Sequence, residues 1–211
     1  MYQKDKYVKN DPEYVYEFIN AHPFATFVLN GDRLLATHIP VLADGDPKNF
    51  RLFSHISNEY NEQIKYLENG REALLIFHGA QAYVSSSWYK RKGVSTWDYS
   101  AVHVNVRLKI QSGNDLEESL KKLVRRFEQE QDSPLYYDEI PDKMVKGLIP
   151  HITGFWAEPF KIEAIAKLHQ GYKKEDVDST INHLRKQQDP SARRLVEDIR
   201  REHESDQNQN R

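Results

Sequence analysis

The residues from His78 to Val104 concentrate aromatic and hydroxyl side chains, including two of the chain's three tryptophans. Such rings can stack on a flat ligand, while hydroxyls and the nearby cations of Lys90–Lys92 can donate hydrogen bonds to anionic oxygens. The segment therefore favours a binding surface for a flat, heteroaromatic, phosphorylated molecule. The candidate residues are Ser85, Ser87, Trp88, Tyr89, Trp97 and Tyr99. The alternative is that the rings pack one end of a barrel and that Lys90–Gly93 is a solvated loop.

Other kinds of site have little support in the sequence. The nine glycines are scattered singly, which argues against a phosphate-binding loop, and no serine lies in a GxSxG turn. The chain has no cysteine, and its nine histidines form no HExxH pattern. A histidine cluster built from several strands stays open as an alternative. We predict no catalytic residue and no metal ligand, and the residues do not argue for an enzyme.

Charge and hydropathy limit the partners. The net charge of −2 gives no overall attraction to nucleic acid, so any DNA contact must use a local basic patch. Two runs qualify, although such runs more often form solvated helix faces: Lys121, Lys122, Arg125 and Arg126, or Arg185, Lys186, Arg193 and Arg194. No apolar run approaches the length of about 20 residues that spans a bilayer, and the N-terminal residues lack the apolar core of a signal peptide. We expect a cytoplasmic protein with no membrane partner.

The first half of the chain alternates with the period of strands. Asp11 and Pro12 are typical of a helix start, and the spacing predicts a short helix with Val15, Phe18 and Ile19 inward. Two strands around the Asn30-Gly31 turn follow, then a strand over residues 49–56. Residues 58–70 predict a helix that Gly70 ends. Three more strands are predicted over residues 72–79, 80–89 and 100–110.

The second half is mostly helical. Residues 115–131 predict an amphipathic helix, and residues 140–148 predict a short one. A long late strand over residues 151–168 is expected to be interrupted near Pro159. From Lys174 two amphipathic helices parted by Asp189-Pro190 precede a polar tail. This pattern indicates a mainly β, α+β fold, in which a closed or partly closed barrel protects the strand edges.

Several blocks of the sequence closely resemble the PaiB-type family of FMN-binding negative transcriptional regulators. The matching blocks are ATHIPVL (36–42), Ser54-His55, HGAQAYVSSSWY (78–89), VSTWDYSAVHV (94–104) and KLHQGYKKED (167–176). The resemblance implies a split β-barrel like that of pyridoxamine-phosphate oxidase, with peripheral helices and a helical C-terminal extension. It also implies FMN bound at a homodimer interface and repression of sporulation and extracellular protease genes. We divide the chain into a barrel domain at residues 1–173 and the extension at 174–211.

Three positions depart from the family pattern. Asp98 stands where Asn is usual, Val106 replaces a common Gly, and residues 60–64 match an Asn-Pro-Gln-Trp element only loosely. The last departure lies where flavin or phosphate contacts are expected, and FMN's phosphate usually requires a well-placed Arg or Lys. The resemblance therefore implies FMN as the cofactor, with weak or substoichiometric binding expected.

Further site residues follow from the same resemblance. Thr37 and His38, with Ser54 and His55, fall on neighbouring strands and are the candidates for the phosphate or ribityl end. Gln170 is the candidate for the ring edge, with a turn-stabilising role as the alternative. For the dimer interface, the segment from Gly154 to Phe160 offers Trp156 and Phe160 as exposed apolar residues.

The implied partners are a second copy, a flavin nucleotide and, by resemblance only, DNA. A flavin-dependent oxidoreductase and a haem-binding protein on the same barrel stay open as alternatives.

Overall fold

The described residues form seven strands and five α-helices. The structure, a computed structural model, describes residues 1–209, and the side chains of residues 1–204. The strands are β1 (Phe24–Asn30), β2 (Leu34–Pro40), β3 (Leu42–Asp46), β4 (Asn49–Ser57), β5 (Glu72–Val84), β6 (Thr96–Ile110) and β7 (Ile152–Lys167). The helices are α1 (Pro12–Ala21), α2 (Gly113–Glu128), α3 (Asp142–Leu148), α4 (Lys174–Lys186) and α5 (Pro190–Gln209).

The strands form one sheet in the order β2-β1-β5-β6-β7-β4-β3. β1 pairs antiparallel with β2 and β5, and β4 pairs antiparallel with β3 and β7. This seven-strand sheet with helices around it is the split β-barrel expected from the sequence. As predicted, the residues from His78 to Val104 contain parts of two neighbouring strands, β5 and β6, and their connection.

The backbone groups into two compact units. The first contains Met1–Asp11, His78–Val102 and Glu163–Arg211, and the second contains Pro12–Phe77 and His103–Ile162. The C-terminal helices thus belong to the same unit as the N-terminal residues and the aromatic segment. The division at residue 173 expected from the sequence stays a prediction.

Apolar packing defines each unit. In the second unit, Phe27 and Phe155 are fully buried and their rings stack with centroids 5.3 Å apart. In the first unit, Tyr7 packs with Ala101 and Ile165. The apolar stripes of α4 and α5, represented by Leu184 and Leu195, are also buried.

The predicted helices at the start of the chain, after β6 and at the C-terminal end are confirmed. α1 begins at Pro12 and buries Val15, Phe18 and Ile19, as predicted. α2 begins with a capping box, in which Ser112 Oγ accepts from Asp115 N at 3.2 Å while the Asp115 carboxylate accepts from Ser112. α4 and α5 are parted at Asp189-Pro190, and α5 continues to Gln209. The last two residues of the polar tail lie outside the described residues.

The β1–β2 hairpin is confirmed, but its turn differs from the predicted one. The loop has three residues, Gly31 to Arg33, and Gly31 is not among the positive-φ glycines that a two-residue Asn-Gly turn needs. Glycine is required for another reason, because a Cβ at Gly31 would lie 2.6 Å from the ring of Tyr66.

The helix predicted over residues 58–70 was wrong. Only a 3-10 helix, Glu62–Tyr66, forms there. Asn61 Oδ1 accepts from Ser57 N at 3.0 Å, and such a side-chain bond competes with the helical backbone bonds. Tyr60 is 86% exposed and therefore does not pack against a core, as an inward residue of such a helix would.

Strand limits also needed correction. The two strands predicted over residues 72–89 are the single strand β5, which ends at Val84 because the Ser85 hydroxyl accepts from Ser87 N and starts the 3-10 helix Ser86–Trp88. β7 is not interrupted at Pro159. That residue lies beyond Ala157, the last residue of β7 paired with β4, so its missing N–H removes no hydrogen bond between these two strands.

Among the described residues, no helix combines the length and the apolar character needed to cross a membrane.

Candidate functional site

The predicted site residues fall in both compact units. Thr37, His38, Ser54 and His55 belong to the second unit, and the remaining seven belong to the first. In the second unit, open polar clefts of about 540 Å³ beside Arg71 and about 440 Å³ beside Arg51 contain none of the predicted residues.

Thr37 on β2 is connected to a residue that sequence reasoning did not select. Asn61 Nδ2 donates to Thr37 Oγ1 at 3.2 Å, while Asn61 Oδ1 accepts from Ser57 N. Asn61 therefore joins β2, the end of β4 and the 3-10 helix in one polar cluster. A signal for it was present, because Asn61 is the position at which the loosely matched Asn-Pro-Gln-Trp element begins. Gln63, the other matching position, is 4% exposed.

Ser54 and His55 lie next to each other on β4, but their side chains differ in how available they are to bind a ligand. The Ser54 hydroxyl is buried and donates to the carbonyl of Pro40 at 2.6 Å, so its proton is used inside the fold. His55 is half-buried, and burial lowers the pKa of its imidazole because the charged form loses water. His55 is therefore biased toward the neutral form, which keeps one nitrogen as donor and one as acceptor.

His38 is exposed on β2, where its Nδ1 lies 3.1 Å from Thr26 Oγ1. The cation nearest in sequence, Arg33, makes a two-pronged contact with Glu62 at 3.1 and 2.6 Å. That carboxylate raises the pKa of Arg33, and Arg33 in turn lowers the pKa of Glu62. We call Thr37, His38, His55 and Asn61 the strand-end cluster. It offers hydroxyl, amide and imidazole donors, while the guanidinium of Arg33 is already paired with Glu62.

In the first unit, the serines and Trp88 organise the connection between β5 and β6. The hydroxyls of Ser85 and Ser87 are 2.8 Å apart. Trp88 stacks on His183 of α4 with centroids 4.9 Å apart and planes 5° apart, and its carbonyl accepts from Ser179 Oγ at 2.7 Å. One face of the Trp88 ring is therefore covered by the chain itself.

Trp97 on β6 is the most accessible aromatic candidate. It is 55% exposed and contacts Tyr83 of β5 edge to face, with centroids 6.2 Å apart. Beside it, Lys167 Nζ donates to the Trp97 carbonyl at 2.6 Å and also to the Thr96 hydroxyl. Burial lowers the pKa of Lys167. An open ring face with an ammonium group next to it is a combination that suits an anionic heteroaromatic ligand.

Tyr99 and Tyr89 are more enclosed. Tyr99 packs against the cluster of Tyr7, Ala101 and Ile165, and burial raises its pKa. Tyr89 lies beside the rings of His169 and Tyr172, at centroid distances of 5.6 and 5.4 Å, and burial raises the pKa of its phenol strongly. Both phenols therefore stay protonated and can act only as neutral hydrogen-bonding groups.

A buried Asp–His pair in the first unit was missed by sequence reasoning. Asp98 Oδ2 lies 2.6 Å from His169 Nδ1, with the two side chains 1% and 0% exposed. His169 adopts a left-handed backbone, φ 67°, and stacks on Tyr172 at 4.0 Å. The pair joins two of the blocks that carry the family resemblance, at the position where Asp98 departs from the usual Asn.

Gln170, the candidate for the ring edge, is 5% exposed and engaged by the chain. Its Nε2 donates to Ala166 O at 2.7 Å and to Glu202 Oε1 at 2.9 Å, and its Oε1 accepts from Leu168 N at 2.8 Å. These bonds fit the turn-stabilising alternative.

Comparison with known proteins bears on this arrangement. Residues 1–158 match the model of a family described as "Putative FMN-binding domain". The chain is 29% identical over 194 residues to the protein "Protease synthase and sporulation protein PAI 2" of Bacillus subtilis, covering 91% of this chain and 93% of that one. An uncharacterized protein of Saccharomyces cerevisiae is 32% identical over 77 residues, 34% of this chain and 45% of its own length.

Solved structures share the fold at low identity. The FAD and haem binding protein of Mycobacterium smegmatis has a TM-score of 0.57 at 15% identity, with 82% of this chain and 79% of that one covered. The flavocytochrome Anf3 of Azotobacter vinelandii has a TM-score of 0.57 at 17% identity, covering 84% and 78%. These likenesses concern the fold, whereas the family match covers most of the sequence and makes FMN the candidate cofactor. The chain belongs to the family of FMN-binding-domain proteins of the PaiB type.

Proposed function

We propose that this protein is a flavin-binding negative regulator of transcription of the PaiB type, active in the cytoplasm as a homodimer. The observation that carries the proposal is the similarity to the Bacillus subtilis sporulation protein along nearly the whole length of both chains. By analogy, its targets are genes of sporulation and secreted proteases.

The donor set of the strand-end cluster fits the polar end of FMN. Thr37, Asn61 and His55 present a hydroxyl, an amide and an imidazole, which are groups that bind phosphate and ribityl oxygens. Ser54 and Gln170 are left out of the proposed contacts because their polar atoms are engaged within the chain. FMN would supply a redox-active ring, and the residues of the cluster would hold its phosphate and chain.

Binding is expected to be weak. A phosphate dianion is bound most tightly by a two-pronged Arg contact, and Arg33 already makes such a contact with Glu62. We expect a micromolar rather than a nanomolar dissociation constant for FMN. A micromolar value corresponds to a binding free energy on the order of −8 kcal/mol.

Three measurements test the proposal. The visible absorption spectrum of the purified protein distinguishes flavin, haem and neither, and titration with FMN gives affinity and stoichiometry. A reporter driven by a sporulation or protease promoter then tests repression in cells. Repression by the wild-type protein supports the proposal, and an unchanged reporter contradicts it. A haem spectrum, or flavin-dependent turnover without repression, would favour the alternative functions on the same fold.

A further inference from the structure

The elbow between α4 and α5 presents four cations at the surface of the first unit. α4 ends at Lys186 and α5 begins at Pro190, so three residues join the two helices, which pack against each other. The side chains on the outer face of this elbow are exposed. They are Arg185 and Lys186 at the end of α4, and Arg193 and Arg194 in the first turn of α5. We call these four residues the elbow patch.

The elbow patch is unneutralised, and this distinguishes it from the other basic run of the sequence. Within the described residues, none of its four cations has a carboxylate within ion-pairing distance, and Arg193 contacts only the carbonyl of Gln188, at 3.4 Å. The acidic residue between the helices, Asp189, accepts from Ser191 N at 2.9 Å and so caps α5.

In the run on α2, three of the four cations are paired, and the fourth, Arg125, lies over the ring of Tyr136. Lys121 pairs with Glu118 at 3.0 Å, Lys122 pairs with Asp44, and Arg126 pairs with Glu130. Two stretches that look equivalent in sequence therefore differ in available charge. A cation that already holds a carboxylate must give it up to bind a phosphate, whereas an unpaired cation need only release its counterions.

The elbow is also held in place. Ser191 Oγ accepts from Gln81 N and donates to Gln81 O, both at 2.9 Å, which ties the start of α5 to β5. Leu184 and Leu195 are fully buried on the inner sides of the helices. The four cations thus project from a scaffold fixed by packing and hydrogen bonds, so little ordering is required when a ligand binds.

The surroundings favour a polyanionic backbone over a membrane surface. None of the large exposed hydrophobic residues lies on the described parts of α4 or α5, so the elbow has no apolar side chain to insert into lipid. Charged residues without an apolar anchor are the usual means of contacting DNA phosphates, which position a protein without reading sequence.

We propose that the elbow patch, Arg185, Lys186, Arg193 and Arg194, binds the phosphate backbone of duplex DNA. This inference rests on the proposed role in transcription and names the surface through which the protein would reach its target.

The test uses the full-length protein and a fluorescently labelled, mixed-sequence DNA duplex of about 30 base pairs. Affinity is measured by anisotropy at a series of salt concentrations. The variant R185A/K186A/R193A/R194A is compared with the wild type and with the matched control K121A/K122A/R125A/R126A, which removes the same number of charges from α2. Thermal melts verify that each variant is folded.

We expect the elbow variant to bind at least tenfold more weakly at low salt, and its slope of log affinity against log salt to be smaller by about 3 to 4, one unit for each lost phosphate contact. The control should retain most of the wild-type affinity. An equal loss in both quadruple variants, or no DNA binding by the wild type, would overturn the inference. The inference would also be overturned if the wild type bound phosphatidylserine vesicles but not DNA, and if the elbow variant lost that vesicle binding.

The reporter separates this inference from the proposed function. If the wild type represses and the folded elbow variant represses equally well, regulation stands and the elbow patch is not the DNA contact. If the wild type does not repress, the proposed function fails whatever the duplex experiment gives.

Discussion

Trp97 and Trp156 are the same residue type in opposite environments. Trp97 is 55% exposed, whereas Trp156 is 6% exposed, with its ring against Phe53 and the Arg51 guanidinium 3.5 Å from its centroid. The prediction that Trp156 is an exposed interface residue was wrong, because Trp156 packs in a core cluster with Leu42 and Phe53.

This contrast predicts different effects of truncation. Trp97→Ala should change the free energy of unfolding by less than about 1 kcal/mol, since little packing is lost at an exposed site. It should weaken FMN binding about fivefold, through the loss of a stacking contact of about 1 kcal/mol. Trp156→Ala should cost about 3 to 5 kcal/mol. Urea denaturation and FMN titration of both variants check this, and a large stability loss in Trp97→Ala would contradict the site assignment.

His55 predicts a pH dependence of stability. Burial holds its folded-state pKa below the ordinary value of 6.5, so the unfolded chain takes up this proton at a higher pH than the folded chain does. The contribution of the neutral imidazole is fully present above about pH 6.5 and is lost as the pH falls through the lower folded-state value. The unfolding free energy of the wild type should therefore drop more between pH 7.5 and 5.5 than that of His55→Gln. Parallel slopes in urea denaturation of the two proteins would argue against it.

At the scale of elements, the turn between β7 and α4 depends on one strained residue. His169 has a left-handed backbone, which costs a residue with a Cβ about 1 to 2 kcal/mol, and it is retained because its side chain pairs with Asp98. Both His169→Ala and His169→Gly remove this buried pair and should destabilise the protein by about 3 kcal/mol or more.

The two His169 variants should differ from each other. Glycine accepts the left-handed backbone without strain, so His169→Gly should be more stable than His169→Ala by about 1 kcal/mol. Chemical denaturation measures the difference. Equal stabilities would mean that the turn relaxes to another backbone conformation once the histidine is removed.

At the scale of the whole molecule, the proposed homodimer is the feature to test. Phe160 remains a candidate for the interface: it is 44% exposed, and its neighbour on the same face, Ile162, is 37% exposed. Apolar residues left open on the face of a sheet favour a partner that covers them. The Arg107 guanidinium lies 4.5 Å from the ring centroid of Phe160 and leaves part of the ring uncovered.

We expect light scattering to give twice the chain mass of 24.8 kDa at micromolar concentration. Phe160→Glu should shift the protein toward the monomer, because it places a charge in an apolar interface. Leu34→Glu, at a β2 position that is 75% exposed, serves as the control and should leave the mass unchanged. A wild-type monomer would contradict the dimer.

The sequence by itself determined most elements, because their signals are local. The start of α1 at Pro12, the capping box of α2 and the break before α5 depend on residues within a turn of each other, and strand periodicity depends only on alternate side chains. The family blocks also indicated the fold correctly. One local signal failed where a side chain competed with the backbone, as Asn61 does in the predicted helix of residues 58–70. Another failed at Pro159, where β7 continues without the expected interruption.

The tertiary structure alone decided which side chains are available for chemistry. Asp98 and His169 are 71 residues apart in the chain and meet in a buried pair that no spacing rule predicts. The Ser54 hydroxyl is engaged by the carbonyl of Pro40 on β2, and the Lys122 ammonium is paired with Asp44, 78 residues away in the chain. Burial and pairing are set by contacts between distant segments. For that reason residue type and local period could nominate the aromatic and basic residues but could not decide which remain open to a ligand.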